Sequence, residues 1–207
     1  MKPIVLIGPQ ASGKTTVGKA LSDVLKIDDM PKVELVDADI LFEKEHGAIN
    51  TYFSRYGEPA FRKAETELLT HLTSFYAGKE IILAPGGGAV AHNKGEEHRT
   101  KNVQLLRDFG QLFYLIPFES NLEASVELLL ARKKADARSK SMRIPVAALL
   151  STSGDPQSLS PSETMLVLLQ QRHPLYKAAA HYTLSTGYDS QEAIARKIVV
   201  QRNVPSS

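Results

Sequence analysis

The residues best suited to chemistry form a glycine-rich stretch near the start of the chain. Residues 8–15 are GPQASGKT, which has the form G-x-x-x-x-G-K-[ST], and they directly follow the apolar run PIVLI. Glycines let backbone N–H groups turn inward and form an anion cradle that continues into a helix N-terminus. Lys14 is expected to reach the β- and γ-phosphates of a nucleotide, and the Thr15 hydroxyl to take one Mg²⁺ position. The length of the pattern and its place after a strand favour this interpretation over a chance glycine-rich turn.

Two acidic residues, Asp37 and Asp39, stand at the end of the second predicted strand in the sequence VDAD. The carboxyl ends of strands in an open α/β sheet face the ligand crevice. Alternation along the strand then sends both side chains to the same side. One carboxylate would position Mg²⁺ through water, while the other binds or deprotonates an acceptor hydroxyl. The alternative is that Asp39 only caps the helix that follows at Ile40.

A candidate anion-binding arginine lies in the segment YGEPAFRKAE at residues 56–65. Arg62 falls in the first turns of a predicted helix, with Glu58 and Glu65 within reach of its guanidinium. A guanidinium held by a carboxylate is a pre-oriented fork for a substrate anion. A surface i,i+3 pair, which contributes only about 0.2–0.5 kcal/mol, explains the same spacing equally well.

Three consecutive glycines, Gly86, Gly87 and Gly88, follow the buried strand pattern IILAP. Each glycine loses backbone entropy when it is ordered, so a single turn does not explain three of them. They fit a place at the carboxyl end of a strand where a ligand approaches the backbone closely. A flexible hinge loop is the alternative.

The other polar candidates are less specific. Arg172 lies near the end of a predicted helix and, taken alone, fits a cation that favours the helix dipole. The six histidines show no metal-ligand spacing, with His92 and His98 the closest pair. The basic run at residues 132–143 is ordinarily a solvated face. A cationic lid over a transferring phosphoryl group would, however, supply charge and exclude water.

Composition narrows the class of protein. The chain has 207 residues, 43% of them hydrophobic, with a net charge of +2 and no cysteine. These values exclude disulfides and thiolate metal sites and give no argument for a nucleic-acid or membrane partner. The first strand begins too early for a signal peptide, and no apolar run approaches the ~20 residues of a membrane helix. We expect a cytoplasmic, single-domain protein.

Short apolar runs alternate with longer helical periods, which predicts an α/β protein with a parallel sheet. The predicted strands are residues 2–7, 33–36, 80–83, 111–116 and 181–185. The predicted helices run from the glycine-rich loop to about residue 25, over 59–76, 93–107, 120–131 and 160–173, and from 190 to about 202. Ser160 and Glu163 form a capping box at the start of the fifth helix, and Pro174 is expected to end it. Residues 132–159 fit no element, and such a long connection is usually disordered or functional.

In their order along the chain, these motifs resemble those of the shikimate kinases, small members of the P-loop nucleoside-monophosphate-kinase-like group. The resemblance covers about residues 2–185. The matching motifs are T-x-G at 16–18, D-x-D at 37–39, G-E-x-x-F-R-x-x-E at 57–65, G-G-G at 86–88 and R-x-P-x-Y-x-x-x-A at 172–180. The probability that all five separated motifs agree by chance is very small.

The resemblance implies a role for each candidate residue. Arg62 and Arg172 would bind the shikimate carboxylate, and Asp39 would bind ring hydroxyls and act as base toward the attacking one. The backbone of the glycine triplet, particularly Gly87 and Gly88, would contact the substrate ring, while Asp37 would hold Mg²⁺ through water. The residues implied in ATP binding are Gly8, Ser12, Gly13, Lys14, Thr15, Thr16 and Arg132, the last of them stacking on adenine.

The lid departs from the family pattern. Shikimate kinases usually carry R-P-L-L there, whereas this chain has MRIPV at residues 142–146, with an extra residue before the proline. Arg143 is the first choice for the lid arginine that reaches the substrate and phosphates, and Arg138 the second. We expect a mobile lid over approximately residues 132–159, inserted in one P-loop kinase domain of residues 1–207.

We therefore predict a monomeric, ATP- and Mg²⁺-dependent shikimate 3-kinase. The fold implied by the resemblance is a three-layer α/β/α arrangement whose five-stranded parallel sheet has the order 2-3-1-4-5. Two alternatives stay open: a related small-molecule kinase such as a gluconate kinase, and a nucleotide-binding regulatory protein whose lid does not support turnover.

Overall fold

One parallel sheet forms the centre of the protein. The computed structural model describes residues 2–26, 32–92, 96–135 and 159–203. The strands are Ile4–Ile7 (β1), Glu34–Asp37 (β2), Ile81–Ala84 (β3), Gln111–Ile116 (β4) and Tyr182–Ser185 (β5). They pair in the order β2-β3-β1-β4-β5, which confirms the predicted topology. The prediction matches β4 at both ends and β1 and β5 at their C-terminal ends, and the remaining strand ends differ by one or two residues.

Helices cover both faces of the sheet. Those in the described residues are Lys14–Val24 (α1), Ala38–His46 (α2), Ile49–Phe75 (α3), Glu96–Phe109 (α4), Leu122–Ala135 (α5), Pro161–Ala179 (α6) and Gln191–Arg202 (α7). Ile4 and Leu6 pack with α1 and α7 on one face, whereas Val5 and Ile7 pack with α3 to α6 on the other. Because successive strand residues point to opposite faces, a sheet covered on both sides requires an apolar residue at every position of β1.

Within the described ranges of the chain, no helix is both long enough and apolar enough to cross a bilayer.

Helix α6 begins as predicted but does not end as predicted. The Ser160 hydroxyl accepts from the Glu163 N–H at 3.3 Å, and the Glu163 carboxylate accepts from the Ser160 N–H at 2.8 Å. The predicted end before Pro174 is wrong, because α6 continues to Ala179. Proline removes one helical hydrogen bond and crowds the preceding turn. Tyr176 and Ala179, each 1% exposed, lie beyond it in the core, and their burial outweighs that penalty.

Two other helices are longer than the sequence pattern indicated. Helix α3 was predicted to start at Pro59, but a first arm at residues 49–56 precedes a break at Gly57, where φ is 81°. That first segment, the unpredicted α2 and the start of the second part of α3 form a small aromatic cluster in which Phe42 contacts Tyr52 and Phe61. Helix α5 extends to Ala135 rather than residue 131, so residues 132–135, the first part of the predicted lid segment, are helical.

Candidate active site

A pocket of about 600 Å³ opens at the carboxyl ends of the strands. Segments that follow four of the five strands line it: the glycine-rich loop after β1, Asp37 at the end of β2, the glycine triplet after β3 and Thr186 after β5. Helices α3, α5 and α6 complete the walls with Arg62, Arg132 and Arg172. The pocket therefore brings together the motifs that the sequence separated by up to about 160 residues.

The glycine-rich loop has the shape of a phosphate cradle. Gly8 and Gly13 have φ values of 145° and 99°, which residues with a side chain rarely adopt. A Cβ at Gly8 would also lie 2.5 Å from the Leu115 carbonyl oxygen on β4. The Lys14 Nζ atom curls back over the loop and donates to the carbonyl oxygens of Gly8 and Pro9 at 2.9 and 3.1 Å. A phosphate bound in the loop would compete with these two carbonyl oxygens for the Lys14 ammonium group.

Asp37 links the loop to the next strand. The Thr15 hydroxyl donates to Asp37 Oδ2 at 2.7 Å, and Asp37 Oδ1 accepts from the N–H groups of Asp39 and Ile40 at 3.1 and 3.4 Å. Asp37 is therefore the cap of α2, and the alternative in which Asp39 is the cap is wrong. Alternation along the strand was also the wrong reason for pairing the two carboxylates, since Asp39 lies in the first turn of α2. Both carboxylates nevertheless line the pocket.

The chemistry of Thr15 and Asp37 suits a hard divalent cation. A hydroxyl and a carboxylate oxygen lie 2.7 Å apart beside the phosphate cradle. No group of three or more histidine, cysteine, aspartate or glutamate side chains forms a metal cage among the described residues. Mg²⁺ commonly uses one or two protein oxygen ligands together with nucleotide phosphates and water, so this donor set fits it.

The Asp39 carboxyl is held in a partly buried, acidic environment. Burial raises its pKa from an ordinary value of 3.8 to about 7, with Lys14 lowering it and the charges of Asp37, Glu65 and Glu43 raising it further. A carboxyl with a pKa near 7 is a stronger base than an exposed aspartate. This property suits a group that accepts a proton from an alcohol at neutral pH.

Arg62 is a buried cation rather than one half of a surface pair. Its side chain is 3% exposed, and it donates to Glu65 Oε2 at 2.8 Å and to Glu58 Oε1 at 3.4 Å. The predicted contacts with both glutamates are confirmed, and the surface alternative is wrong. The two carboxylates offset the desolvation of the guanidinium and restrict its orientation.

Arg172 lies on α6 and lines the same pocket as Arg62. It lies inside α6, well before the helix ends at Ala179, and it is 6% exposed, so its interpretation as a helix-terminal cation is wrong. Burial lowers the pKa of Arg172, and the nearby charge of Arg62 lowers it further. The Nε–H groups of both arginines are buried and have no acceptor among the described residues. Two guanidinium groups that line one pocket and carry buried, unmatched donors are a candidate site for an anion.

The glycine triplet packs against the polar side chains of the pocket. A Cβ at Gly86 would lie 2.7 Å from Asp39 Oδ1 and 2.8 Å from Glu65 Oε1, and one at Gly88 would lie 2.7 Å from the Arg62 nitrogens. The polar groups of Asp39, Glu65 and Arg62 thus occupy the space that side chains at Gly86 and Gly88 would need. This packing contradicts the alternative of a loose hinge.

Arg132 lines the pocket beside the loop that follows β5. It lies in the last turn of α5, and its Nη2 donates to the Gly187 carbonyl at 2.8 Å in the loop after β5. Thr186, Asp189 and Gln191 of that region also line the pocket, although the sequence analysis did not select them. Their signal was their position at the carboxyl end of a strand, the rule that had identified the other motifs.

The remaining predicted residues have different outcomes. Ser12 is buried within the loop, and the Thr16 hydroxyl donates to the Gly13 carbonyl at 3.0 Å, so both support the cradle. The lid arginines Arg143 and Arg138 lie outside the described residues, and their role stays a prediction.

The chain is similar over nearly its whole length to known shikimate kinases. The family model described as "Shikimate kinase" matches residues 10–202. A shikimate kinase from Enterococcus faecalis is 35% identical over 201 residues, covering 97% of this chain and 98% of that protein. One from Acinetobacter baumannii is 32% identical over 197 residues, covering 95% and 89%. The solved structure "Shikimate kinase from Acinetobacter baumannii in complex with shikimate" has a TM-score of 0.73 and 31% identity, covering 99% of this chain and 96% of that one.

Proposed function

This chain belongs to the shikimate kinase family, and from that premise we propose a role for each part of its pocket. The enzyme transfers a phosphoryl group from ATP to the 3-hydroxyl of shikimate, giving shikimate 3-phosphate for aromatic amino acid biosynthesis. One observation carries the proposed acceptor site: two buried arginines line the same pocket as Asp39, and Glu65, which holds Arg62, meets Asp39 at Gly86. An anionic polyol needs cations for its carboxylate and a carboxylate for its hydroxyls.

The donor nucleotide lies along the wall formed by the glycine-rich loop. N–H groups of the loop and the Lys14 ammonium bind the β- and γ-phosphates, and Lys14 exchanges its carbonyl partners for phosphate oxygens. The adenine stacks on Arg132 beside the loop after β5, because Arg132 and Thr186 of that loop both line the pocket. The pocket lining supports this arrangement, because one pocket includes Arg132, the glycine-rich loop and Arg62.

ATP-using kinases of this family work with a divalent cation, and Mg²⁺ is the ion proposed here. The Thr15 hydroxyl would hold it directly and the Asp37 carboxylate through water, which requires the hydrogen bond between them to open. When bound, the ion supplies positive charge to the phosphate oxygens. The Asp37 side chain would still cap α2 with the ion bound, because Oδ1 accepts from the start of the helix and Oδ2 is the oxygen that bonds Thr15.

The acceptor is held at two points. Arg62 and Arg172 bind the shikimate carboxylate, and the Asp39 carboxylate binds the 3-hydroxyl. Asp39 takes the hydroxyl proton as the oxygen attacks the γ-phosphorus in line, the bond from that phosphorus to the bridging oxygen breaks, and ADP leaves. Lys14 and a lid arginine, Arg143 before Arg138, neutralise the charge on the transferring oxygens. The single domain of residues 1–207 and its lid at about 132–159 belong to the same proposal.

A coupled assay of ADP release tests the function against its two rivals. The rate with Mg²⁺ and ATP is measured with shikimate, with gluconate and without an acceptor. ADP release that depends on shikimate supports the proposal, whereas a preference for gluconate would identify the sugar-acid kinase alternative. Binding of ATP without ADP release in the presence of any acceptor would instead indicate a regulatory nucleotide-binding protein.

A further inference from the structure

The three carbonyl groups of the glycine triplet accept hydrogen bonds from different kinds of donor. The Gly86 oxygen accepts from the Ala89 N–H at 3.0 Å, and the Gly88 oxygen accepts from the Ala91 N–H at 3.1 Å, so local turns satisfy both. The middle carbonyl, that of Gly87, accepts from the hydroxyl of Tyr176, which is 89 residues away on α6. The central peptide of the triplet is therefore oriented by a distant helix.

The direction of the Gly87 carbonyl also determines the direction of the Gly88 N–H, because both belong to one peptide. In a planar trans peptide the carbonyl of one residue and the N–H of the next point in opposite directions, and no described peptide bond is cis. A hydroxyl that holds the Gly87 carbonyl thus also sets the direction of the Gly88 N–H. Among the described residues the N–H groups of Gly87 and Gly88 donate to no protein acceptor. Glycine has wide conformational freedom, so an external tether has a large effect here.

Tyr176 is itself held rigidly. Its ring is 1% exposed and stacks on Tyr114 of β4, with centroids 4.9 Å apart and an interplanar angle of 18°. The Tyr114 hydroxyl is directed elsewhere, to His173 Nδ1 at 3.0 Å. Of this stacked pair, one hydroxyl therefore serves the glycine triplet and the other does not.

The same hydroxyl lies beside the acceptor arginine. Tyr176 follows Arg172 by four residues on α6, one helical turn later. Burial raises the pKa of the Tyr176 hydroxyl, whereas the charge of Arg172 and a side-chain hydrogen bond with it lower that pKa. The hydroxyl that donates to the Gly87 carbonyl thus also lies within electrostatic range of the Arg172 guanidinium.

We propose that Tyr176 is a positioning residue for the acceptor: its hydroxyl orients the Gly87–Gly88 peptide and the Arg172 guanidinium together, so that the Gly88 N–H is presented to the bound polyol. The inference rests on the proposed function, because the polyol is the acceptor assigned above. Gly88 lies at the acceptor end, since a Cβ on it would meet the Arg62 guanidinium. Tyr176 acts through these groups and needs no contact with the reacting atoms.

The test compares Tyr176→Phe with Tyr114→Phe, two changes that each delete one hydroxyl from the same stacked ring pair. Initial rates are measured while shikimate and ATP are varied in turn, and thermal unfolding of both variants is recorded. For Tyr176→Phe we expect the KM for shikimate to rise roughly tenfold, the usual effect of one lost buried hydrogen bond, with the KM for ATP within about twofold. Tyr114→Phe is expected to lower stability while leaving both KM values near those of the wild type.

Three outcomes would overturn the inference while leaving the proposed function intact. The first is an unchanged KM for shikimate in a folded Tyr176→Phe protein, and the second is an equal rise in Tyr114→Phe, which would indicate a general packing effect. If Tyr176→Phe does not fold, the wild-type protein decides, through the ¹⁵N–¹H resonance of Gly88. That resonance should shift on addition of shikimate, and its failure to move is the third outcome. Wild-type protein without shikimate-dependent ADP release would refute the proposed function itself, and this inference with it.

Discussion

Replacement of Asp39 by asparagine is expected to stabilise the protein while it removes activity. The change keeps the shape of the side chain and deletes a charge from a site where burial and three neighbouring carboxylates oppose ionisation. Loss of the proton acceptor should lower kcat by about 10²–10⁴-fold. Residues in a functional site often reduce stability in this way. The substitution should therefore raise the free energy of unfolding while it lowers kcat.

The pKa of Asp39 sets both the magnitude and the pH range of the stabilisation. Its pKa rises from 3.8 in the unfolded chain to about 7 in the folded state, so the folded state retains the proton where the unfolded chain has lost it. The free energy of unfolding of the wild type therefore decreases as the pH rises from about 4 to about 7. At ~1.36 kcal/mol per pH unit the full difference is bounded at about 4 kcal/mol. Because the side chain is partly exposed, we expect about 1–2 kcal/mol.

Thermal and urea unfolding of the ligand-free proteins at pH 5 and pH 8 measure this effect. At pH 8 Asp39→Asn should gain the full amount, an increase in Tm of about 2–8 °C for a chain of this size. At pH 5 the gain should be less than half as large, because the wild-type carboxyl is then largely protonated in the folded state. The other titrating groups are common to both proteins and cancel in the comparison.

Asp23→Asn is a matched control, since Asp23 carries its carboxylate on the exposed surface of α1. It should change stability by less than about 0.5 kcal/mol at both pH values. The reasoning would be refuted if Asp39→Asn were less stable than the wild type at pH 8. It would equally be refuted if the gain were the same at both pH values.

Three further predictions concern the phosphate loop and the acceptor site. Lys14→Ala should lower kcat by at least ~100-fold through loss of a transition-state cation, and a normal rate of ADP release would contradict the role of the loop. Arg62→Ala should raise the KM for shikimate by about 10–100-fold and the KM for ATP by less than threefold, and an equal rise in both would exclude carboxylate binding. Gly88→Ala should weaken shikimate binding in calorimetry more than Gly87→Ala does. The reason is that its Cβ would lie 2.7 Å from the Arg62 guanidinium, whereas a Cβ at Gly87 meets no atom closer than 3.4 Å. Equal affinities for the two variants would argue against this close packing.

Local signals in the sequence were sufficient for the phosphate loop and the strands. The loop depends on glycines that adopt positive φ and on a helix that starts at Lys14, and both properties belong to a few consecutive residues. The continuous apolar runs predicted strands buried on both faces, as β1, β3 and β4 are. The ends of helices were less predictable, because α6 passes through Pro174 for the sake of contacts made by Tyr176 and Ala179 in the core.

By itself the sequence determined the nucleotide cradle, the order of the motifs and, through their resemblance to a family, the acceptor. Only the tertiary structure decided what those acceptor residues are physically. The spacing of Arg62 and Glu65 fits a surface pair or a buried fork equally well, and packing under α6 makes it buried. The tie between Tyr176 and Gly87 joins two helix-and-loop segments whose contact no local pattern encodes. Burial and long-range contacts arise when distant segments pack together, and for this reason they set the charges, the pKa of Asp39 and the orientation of the glycine peptide.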